Sequence, residues 1–382
     1  NCSGTCRDLR VDSSNCGMCG RVCAAGQVCS LSMCVVTCAS GLTNCSGSCT
    51  NTTTDPSNCG ACGTVCPARA NAVANCAAST CGITCNSGFG DCNGVASDGC
   101  ETNLNTSSSH CSRCGNACTG GTVCTAGTCV APVSTFNATG TGRTGTIQSY
   151  TVPSTGTYRI EAYGAQGGHT STTPSFSGGL GARMRGDFAL TAGTVLRIVV
   201  GQAGVDGANN SGGGGGSFVI RSDNTPLLIA GGGGGLRQST SVNGGDGQIT
   251  EAGGACTQTP GGSPGSGGNG GTTSSSWGSG GGGFRTDGGN DGAWGIGGQA
   301  YLNGALGGGA GSSPCGNASE GGFGGGGSGT GCYGGGGGGG YSGGPGCYGA
   351  GGGGSYNVGT SQSNSPGVRT GHGTVSITYV GP

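Results

Sequence analysis

A cysteine pattern repeats three times within the first 130 residues, at a spacing of roughly 45 residues. The first copy holds Cys2, Cys6, Cys16, Cys19, Cys23, Cys29 and Cys34. The second holds Cys45, Cys49, Cys59, Cys62, Cys66, Cys76 and Cys81. The third holds Cys92, Cys100, Cys111, Cys114, Cys118, Cys124 and Cys129. Each carries an Asn/His-Cys-x2-Cys-Gly-x2-Cys core, read as NCGMCGRVC, NCGACGTVC and HCSRCGNAC, and each closes with Cys-x4-Cys. Cys38 and Cys85 fall at the junctions. Few Leu, Ile or Phe lie in this region, so apolar burial cannot hold it; short covalent loops must, at about 2–4 kcal/mol per bridge.

Of the 27 cysteines, 23 lie here, and the rest are Cys256, Cys315, Cys332 and Cys347. Such density predicts an oxidising, extracellular or cell-surface location and a disulfide framework. An eight-cysteine module would hold four bridges. The total therefore leaves one cysteine short, either ahead of Asn1 or after Cys129, and spacing alone does not give the pairings. The rival reading of Cys-x2-Cys-x3-Cys is zinc; with only His110 to join the thiolates, disulfides are the expectation. The predicted modules span about 1–37, 38–84 and 85–130. The start at Asn1, without a leader, predicts a processed chain.

Composition excludes several functions. All 14 basic residues are Arg, which removes Lys-dependent phosphate loops, Schiff bases and isopeptide staples. A net charge of −1 argues against a nucleic-acid partner. No apolar run is long enough for a transmembrane helix. Seven glycosylation sequons occur, at Asn1, Asn44, Asn51, Asn105, Asn137, Asn209 and Asn317, so glycans are an expected modification if the host supplies them.

Residues 131–136 (APVSTF) read as a linker. Beyond it the composition changes: 82 of the 99 glycines follow residue 130. Strand signals stand between them at 146–152, 157–163, 195–200, 217–221, 226–230 and 374–380. A strand at the C-terminus that pairs with earlier ones encloses the glycine tract at about 231–356 as an insertion. No segment shows helical periodicity, so residues 137–382 predict a β-sandwich. The insertion carries Gly231–Gly235, Gly280–Gly283, Gly324–Gly327, Gly334–Gly340 and Gly351–Gly354. A flexible linker does not need the interspersed Trp277, Phe284, Trp294, Tyr301, Phe323, Tyr333, Tyr341 and Tyr356. Packed polyglycine II helices are the expected structure, with three residues per turn and hydrogen bonds to neighbours in place of internal ones. Two pins from Cys256, Cys315, Cys332 and Cys347, with the aromatics sealing the ends, would offset the entropy of ordering glycine.

YGAQGG (163–168), GGLGARMRGDFALTAGTVLRIVVGQAG (178–204), GGGGGSFV (212–219), PLLIAGGGGG (226–235) and GGGGGGGYSGGPG (334–346) resemble the glycine-rich domain of the anaplastic lymphoma and leukocyte receptor tyrosine kinases. The resemblance covers roughly 136–381. It implies an all-β architecture: a jelly-roll sandwich like that of tumour necrosis factor, carrying an inserted polyglycine II bundle. In those receptors the domain binds cytokines; this chain lacks the kinase and companion domains. The N-terminal pattern resembles the Cys-rich repeats of stigma-specific (Stig1-like) proteins and of secreted proteins of predatory soil bacteria, which implies extracellular display.

No residue set predicts catalysis. Gly261-Gly262-Ser263-Pro264-Gly265 fits a nucleophile elbow in letters only, because it lacks a strand–turn–helix context. His110, His169 and His372 have no catalytic neighbours in sequence. Asp91 to Asp98 offers oxygens for calcium, but a turn fits better. Arg185-Gly186-Asp187 is an integrin-type tripeptide set in a strand-like run. No cofactor is predicted. The expected function is a secreted structural protein, a subunit of a fibre, appendage or coat that assembles with copies of itself. The alternative is an extracellular ligand- or carbohydrate-binding adhesion module. Ice binding by flat polyglycine faces is a third, weakened by irregular Ser, Asn and aromatic interruptions.

Overall fold

The computed structural model describes residues 2, 4–119, 121–172, 174–274, 277–292, 294–311, 318–330 and 334–381. The chain is mostly β and divides into two compact units, Asn1–Val130 and Ala131–Pro382.

The first unit is a series of short hairpins. Module 1 closes with β1 (Val28–Ser30) and β2 (Met33–Val35). Module 2 opens with β3 (Thr43–Cys45) and β4 (Ser48–Thr50) and closes with β5 (Ala72–Ala77) and β6 (Thr80–Cys85). Module 3 opens with β7 (Phe89–Gly90) and β8 (Thr102–Asn103) and closes with β9 (Val123–Thr125) and β10 (Thr128–Val130). One sheet crosses the first junction in the order β2-β1-β4-β3, joined by a parallel contact at Cys29 and Ser48. The recurrent Asn/His before Cys-x2-Cys has a structural cause. Asn15 and Asn58 accept the backbone N–H of Gly20 and Gly63 through Oδ1, at 2.9 and 2.8 Å. His110 accepts that of Gly115 through Nδ1 at 2.9 Å, so the imidazole stands in for the amide as a loop closer.

The second unit holds β11 (Val133–Asn137), β12 (Gln148–Thr151), β13 (Gly156–Tyr163), β14 (Gly181–Leu190), β15 (Val195–Val199), β16 (Ser217–Arg221), β17 (Pro226–Ala230), β18 (Gln258–Gly261), β19 (Cys347–Gly349), β20 (Tyr356–Asn357), β21 (Ser365–Arg369) and β22 (Thr374–Gly381). Two five-stranded antiparallel sheets form, in the orders β11-β22-β13-β14-β21 and β12-β15-β16-β17-β20. Their facing residues share one core, with Tyr158, Ile160, Met184 and Ile377 from one sheet and Leu196, Ile198, Val219 and Leu228 from the other. Period-two alternation places them there. Strands β16 and β17 of the second sheet are buried on both faces. Val199, Phe218, Ile220 and Ile229 point away from that core into a layer of Phe284, Tyr301, Phe323 and Tyr341. Phe284 and Tyr301 stack at 5.4 Å between ring centroids.

Two sequence expectations need correction. Most of the 131–136 linker is strand: β11 pairs with β22 from Val133 to Asn137, and Phe136 packs on the core. The aromatics next to the glycine tracts pack on one another and on a sheet. Phe284, Tyr301, Phe323 and Tyr341 pave a sheet face, and Trp277 packs against Tyr348 at 4.7 Å. Tyr333 lies outside the described residues.

The glycine structure is also wider than the 231–356 insertion. It takes in 164–168, 201–204 and 212–216, which continue β13, continue β15 and lead into β16. These segments run straight on from the strands, and their backbone groups bond laterally to other glycine segments. Hydrogen bonds within it repeat every third residue. Gly213 and Gly216 donate to Gly327 and Gly324, both at 2.9 Å, while Gly214 and Gly215 between them donate to Gly233 and Gln202. Gly334–Gly340 lies at the centre. Gly336, Gly337 and Gly338 donate to Ser211, Ser279 and Gly351, and their carbonyls accept from Gly235, Gly327 and Gly344. Six neighbours thus surround one tract. A Cβ on Gly336, Gly337 or Gly338 would meet a backbone oxygen at 2.0, 2.0 or 2.2 Å, which is why no other residue fits. Cys256–Cys347 pins this unit, whereas Cys315 and Cys332 lie outside the described residues.

Candidate functional site

Two features stand out as candidates: the disulfide array of the first unit and a cleft at the rim of the glycine lattice.

Eleven disulfides link the first unit. Module 2 pairs Cys38–Cys49, Cys45–Cys62, Cys59–Cys76 and Cys66–Cys81. Module 3 repeats the order with Cys85–Cys100, Cys92–Cys114, Cys111–Cys124 and Cys118–Cys129. Module 1 has Cys2–Cys19, Cys16–Cys29 and Cys23–Cys34. The pattern is first to third, second to fifth, fourth to seventh and sixth to eighth. Cys6 is exposed and free, so the shortfall is in the first module and not after Cys129. Among the described residues, the clusters with metal-ligand geometry are Cys16/Cys23/Cys29, Cys59/Cys66/Cys81, Cys92/His110/Cys114 and Cys111/Cys118/Cys129. All their sulfurs are spent in disulfides, so none is a thiolate available to zinc.

The cleft forms where the continuation of β13, the continuation of β15 and the turn before β22 meet. One lobe, about 520 Å³, is lined by His169, Ser171, Phe176 and Asp206 among others. A second, about 280 Å³, shares His169 and Asp206 and adds Thr141, Gln166 and His372. The Asp206 carboxylate accepts the His169 backbone N–H at 2.7 Å and stands 3.5 Å from its Nδ1. His372 Nδ1 accepts the Ala203 N–H at 3.0 Å, which leaves Nε2 to carry the proton of the neutral ring. The cleft can offer hydrogen bonds to a polar ligand. Sequence reading named both histidines but had no signal that they share a cleft, since 203 residues of chain separate them.

The remaining candidates resolve individually. Ser263 follows β18, and its N–H bonds Thr272 Oγ1 at 2.7 Å; among the described residues up to 274, no helix begins after it. Asp91 Oδ1 accepts the N–H groups of Gly94 and Val95 at 2.8 and 3.1 Å, and Asp98 Oδ2 accepts Asn93 Nδ2, so the carboxylates close a turn. Arg185-Gly186-Asp187 lies in mid-strand on β14 rather than at a loop tip. Asp187 takes two hydrogen bonds from Arg159, at 2.8 and 2.9 Å, and this withdraws it from an adhesive role. Asn44, Asn51, Asn105 and Asn137 are exposed, Asn209 is half-buried, and Asn1 and Asn317 lie outside the described residues.

The hydrogen bond from Arg159 holds the Asp187 carboxyl below the usual carboxylate range. A depressed folded value contributes stability that is present above the unfolded pKa, about 3.9, and is lost as pH falls through the folded value. Asp187→Asn is expected to cost about 0.5–1 kcal/mol at neutral pH, a modest figure because Arg159 is 40% exposed. Denaturant melts of both proteins should converge near pH 2; a gap that persists there would assign the loss to shape rather than charge.

No protein-family model matches the chain, and no curated protein matches it.

Proposed function

We propose that this chain is a secreted structural protein, a building unit of an extracellular fibre, appendage or surface coat. The observation that carries the reading is the junction between modules. Each closing hairpin passes into the next module through a shared disulfide, Cys38–Cys49 or Cys85–Cys100, and at the first junction the strands also pair. A joint of that kind transmits tension through covalent bonds. The second unit fits the same purpose: we read it as a jelly-roll sandwich whose glycine tracts form a polyglycine II bundle, in keeping with its resemblance to the glycine-rich receptor domain. With twelve disulfides among the described residues, the oxidising extracellular setting is the natural one.

Contact with other copies has surfaces to use. Met18, Val22, Leu31, Met33 and Val36 of module 1 are each more than half exposed, and only 8% of the chain is charged. The outer strands β11, β12, β20 and β21 leave edges to which a neighbour's strand can add. Material from the native source, separated without reduction and viewed by electron microscopy, should contain detergent-resistant multimers and visible fibres or sheets. A monodisperse monomer with no fibres would remove the proposal. The cleft at His169, Asp206 and His372 supports a second reading, a binding module for a polar ligand such as a glycan. Saturable binding to a glycan array, weakened by His372→Ala, would favour it.

A further inference from the structure

We infer that Cys6 is the receiving half of an inter-module staple, whose other half is a cysteine of a further module lying ahead of module 1 in the same polypeptide. The inference does not rest on assembly into fibres.

Three observations converge. The first is the pairing order. Modules 2 and 3 bond their third cysteines, Cys49 and Cys100, to Cys38 and Cys85. Module 1 has every other bridge of the set, and its third cysteine is Cys6. The second is local structure. Asn1-Cys2-Ser3-Gly4-Thr5-Cys6 repeats Asn44-Cys45-Ser46-Gly47-Ser48-Cys49 with a single change, Thr for Ser. Cys2 pairs with Thr5 as Cys45 pairs with Ser48, and Gly4 and Gly47 turn at φ +85° and +94°. Cys6 is thus held in the geometry in which Cys49 is bridged. The third is coverage. Cys49 and Cys100 are completely buried, whereas Cys6 is exposed. The preceding module does the covering: the Gly47 carbonyl accepts the Cys29 N–H at 3.4 Å, and the Cys100 N–H bonds the Ala70 carbonyl at 2.9 Å. Among the described residues, Gly4 has no equivalent donor.

The position of the missing half follows from the two visible junctions. Cys38 and Cys85 each stand four residues after a module's last cysteine, Cys34 and Cys81, so the donor lies at or just past the closing hairpin of the module before. Cys85 is itself the last residue of β6. The partner of Cys6 therefore follows a closing Cys-x4-Cys by three intervening residues. In the bonding step each thiol gives up one proton and one electron to a disulfide of a secretory oxidoreductase. That disulfide is reduced to a dithiol as the Cys6–partner S–S bond forms. A second copy of the chain does not supply this donor, since the residues in that role, Cys38 and Cys85, are already bridged.

The test uses protein from its native source, alkylated before unfolding, digested without reduction and sequenced by mass spectrometry. The expected result is an unalkylated Cys6 linked to a peptide absent from these 382 residues, with the spacing Cys-x4-Cys-x3-Cys. An alkylated Cys6, a Cys6–Cys6 link between copies or a small-molecule cap would each overturn the inference. In parallel, the 382-residue chain produced in an oxidising compartment should lose one titratable thiol per chain on Cys6→Ser, with its other bridges intact. An unchanged count would mean that Cys6 pairs within the chain, and would likewise overturn it.

Discussion

Replacing Gly338 by alanine is expected to unfold or severely weaken the glycine lattice. The added Cβ would sit 2.2 Å from the Gly232 carbonyl oxygen and 2.8 Å from the Gly353 nitrogen, well inside van der Waals contact. Neither obstacle is a side chain that can swing away. Moving either backbone breaks lateral hydrogen bonds, because Gly232 donates to Gly339 and Gly353 donates to Gly232. Overpacking in ordinary cores costs about 1–3 kcal/mol. Here the cost should lie above about 3 kcal/mol, a large part of a typical total stability of about 5–15 kcal/mol. Gly292→Ala is the matched control. Gly292 has φ +53° but open space around it, so only backbone strain of about 1–2 kcal/mol applies. Denaturant melts of both variants give the comparison. Equal losses would mean that the tracts are not packed as closely as these distances imply.

Reduction should separate the two units in stability. Among the described residues of 1–130 there is one small cluster of buried apolar residues, Cys59, Cys66 and Cys76 with Ala74 alongside, and it is made mostly of the bridges themselves. With the bridges gone, nothing remains to offset the chain entropy of about 1–2 kcal/mol per residue. The second unit has two apolar cores and the glycine lattice, and one described bridge, Cys256–Cys347. Limited proteolysis under a strong thiol reductant should therefore digest the first unit and leave a resistant fragment beginning near Ala131. Intact resistance of the first unit after full reduction would show that it has some other source of stability.

Both outcomes depend on features that the sequence displays to different degrees. The module period was plain because cysteine spacing is rigid. Strands β13 and β22 were legible because Tyr158, Ile160 and Ala162, and Val375, Ile377 and Tyr379, alternate inward without interruption. Strand β14 was harder. Its buried face reads Ala182, Met184, Gly186, Phe188, but Arg183, Arg185 and Asp187 crowd the other face and make an Arg-Gly-Asp that looks like a motif. Strand β21 contains Pro366 and Gly367, residues that normally end strands; its place at a sheet edge tolerates them. The disulfide order was not legible, since neighbouring cysteines in Cys-x2-Cys-x3-Cys are equally near in sequence to several partners. The shared cleft of His169 and His372 was hidden for a related reason, because only the fold brings distant segments together.

The three-residue repeat of the lattice also sets how its length can change. Each tract aims successive N–H groups at three different neighbours, as Gly336, Gly337 and Gly338 do at Ser211, Ser279 and Gly351. Deleting one residue rotates every later donor by a third of a turn, toward a neighbour already engaged. Deleting three returns each donor to its own direction and shortens the tract by about 9 Å. Length in these tracts is therefore counted in whole turns, so a chain that lengthens or trims them without unfolding must do so by threes.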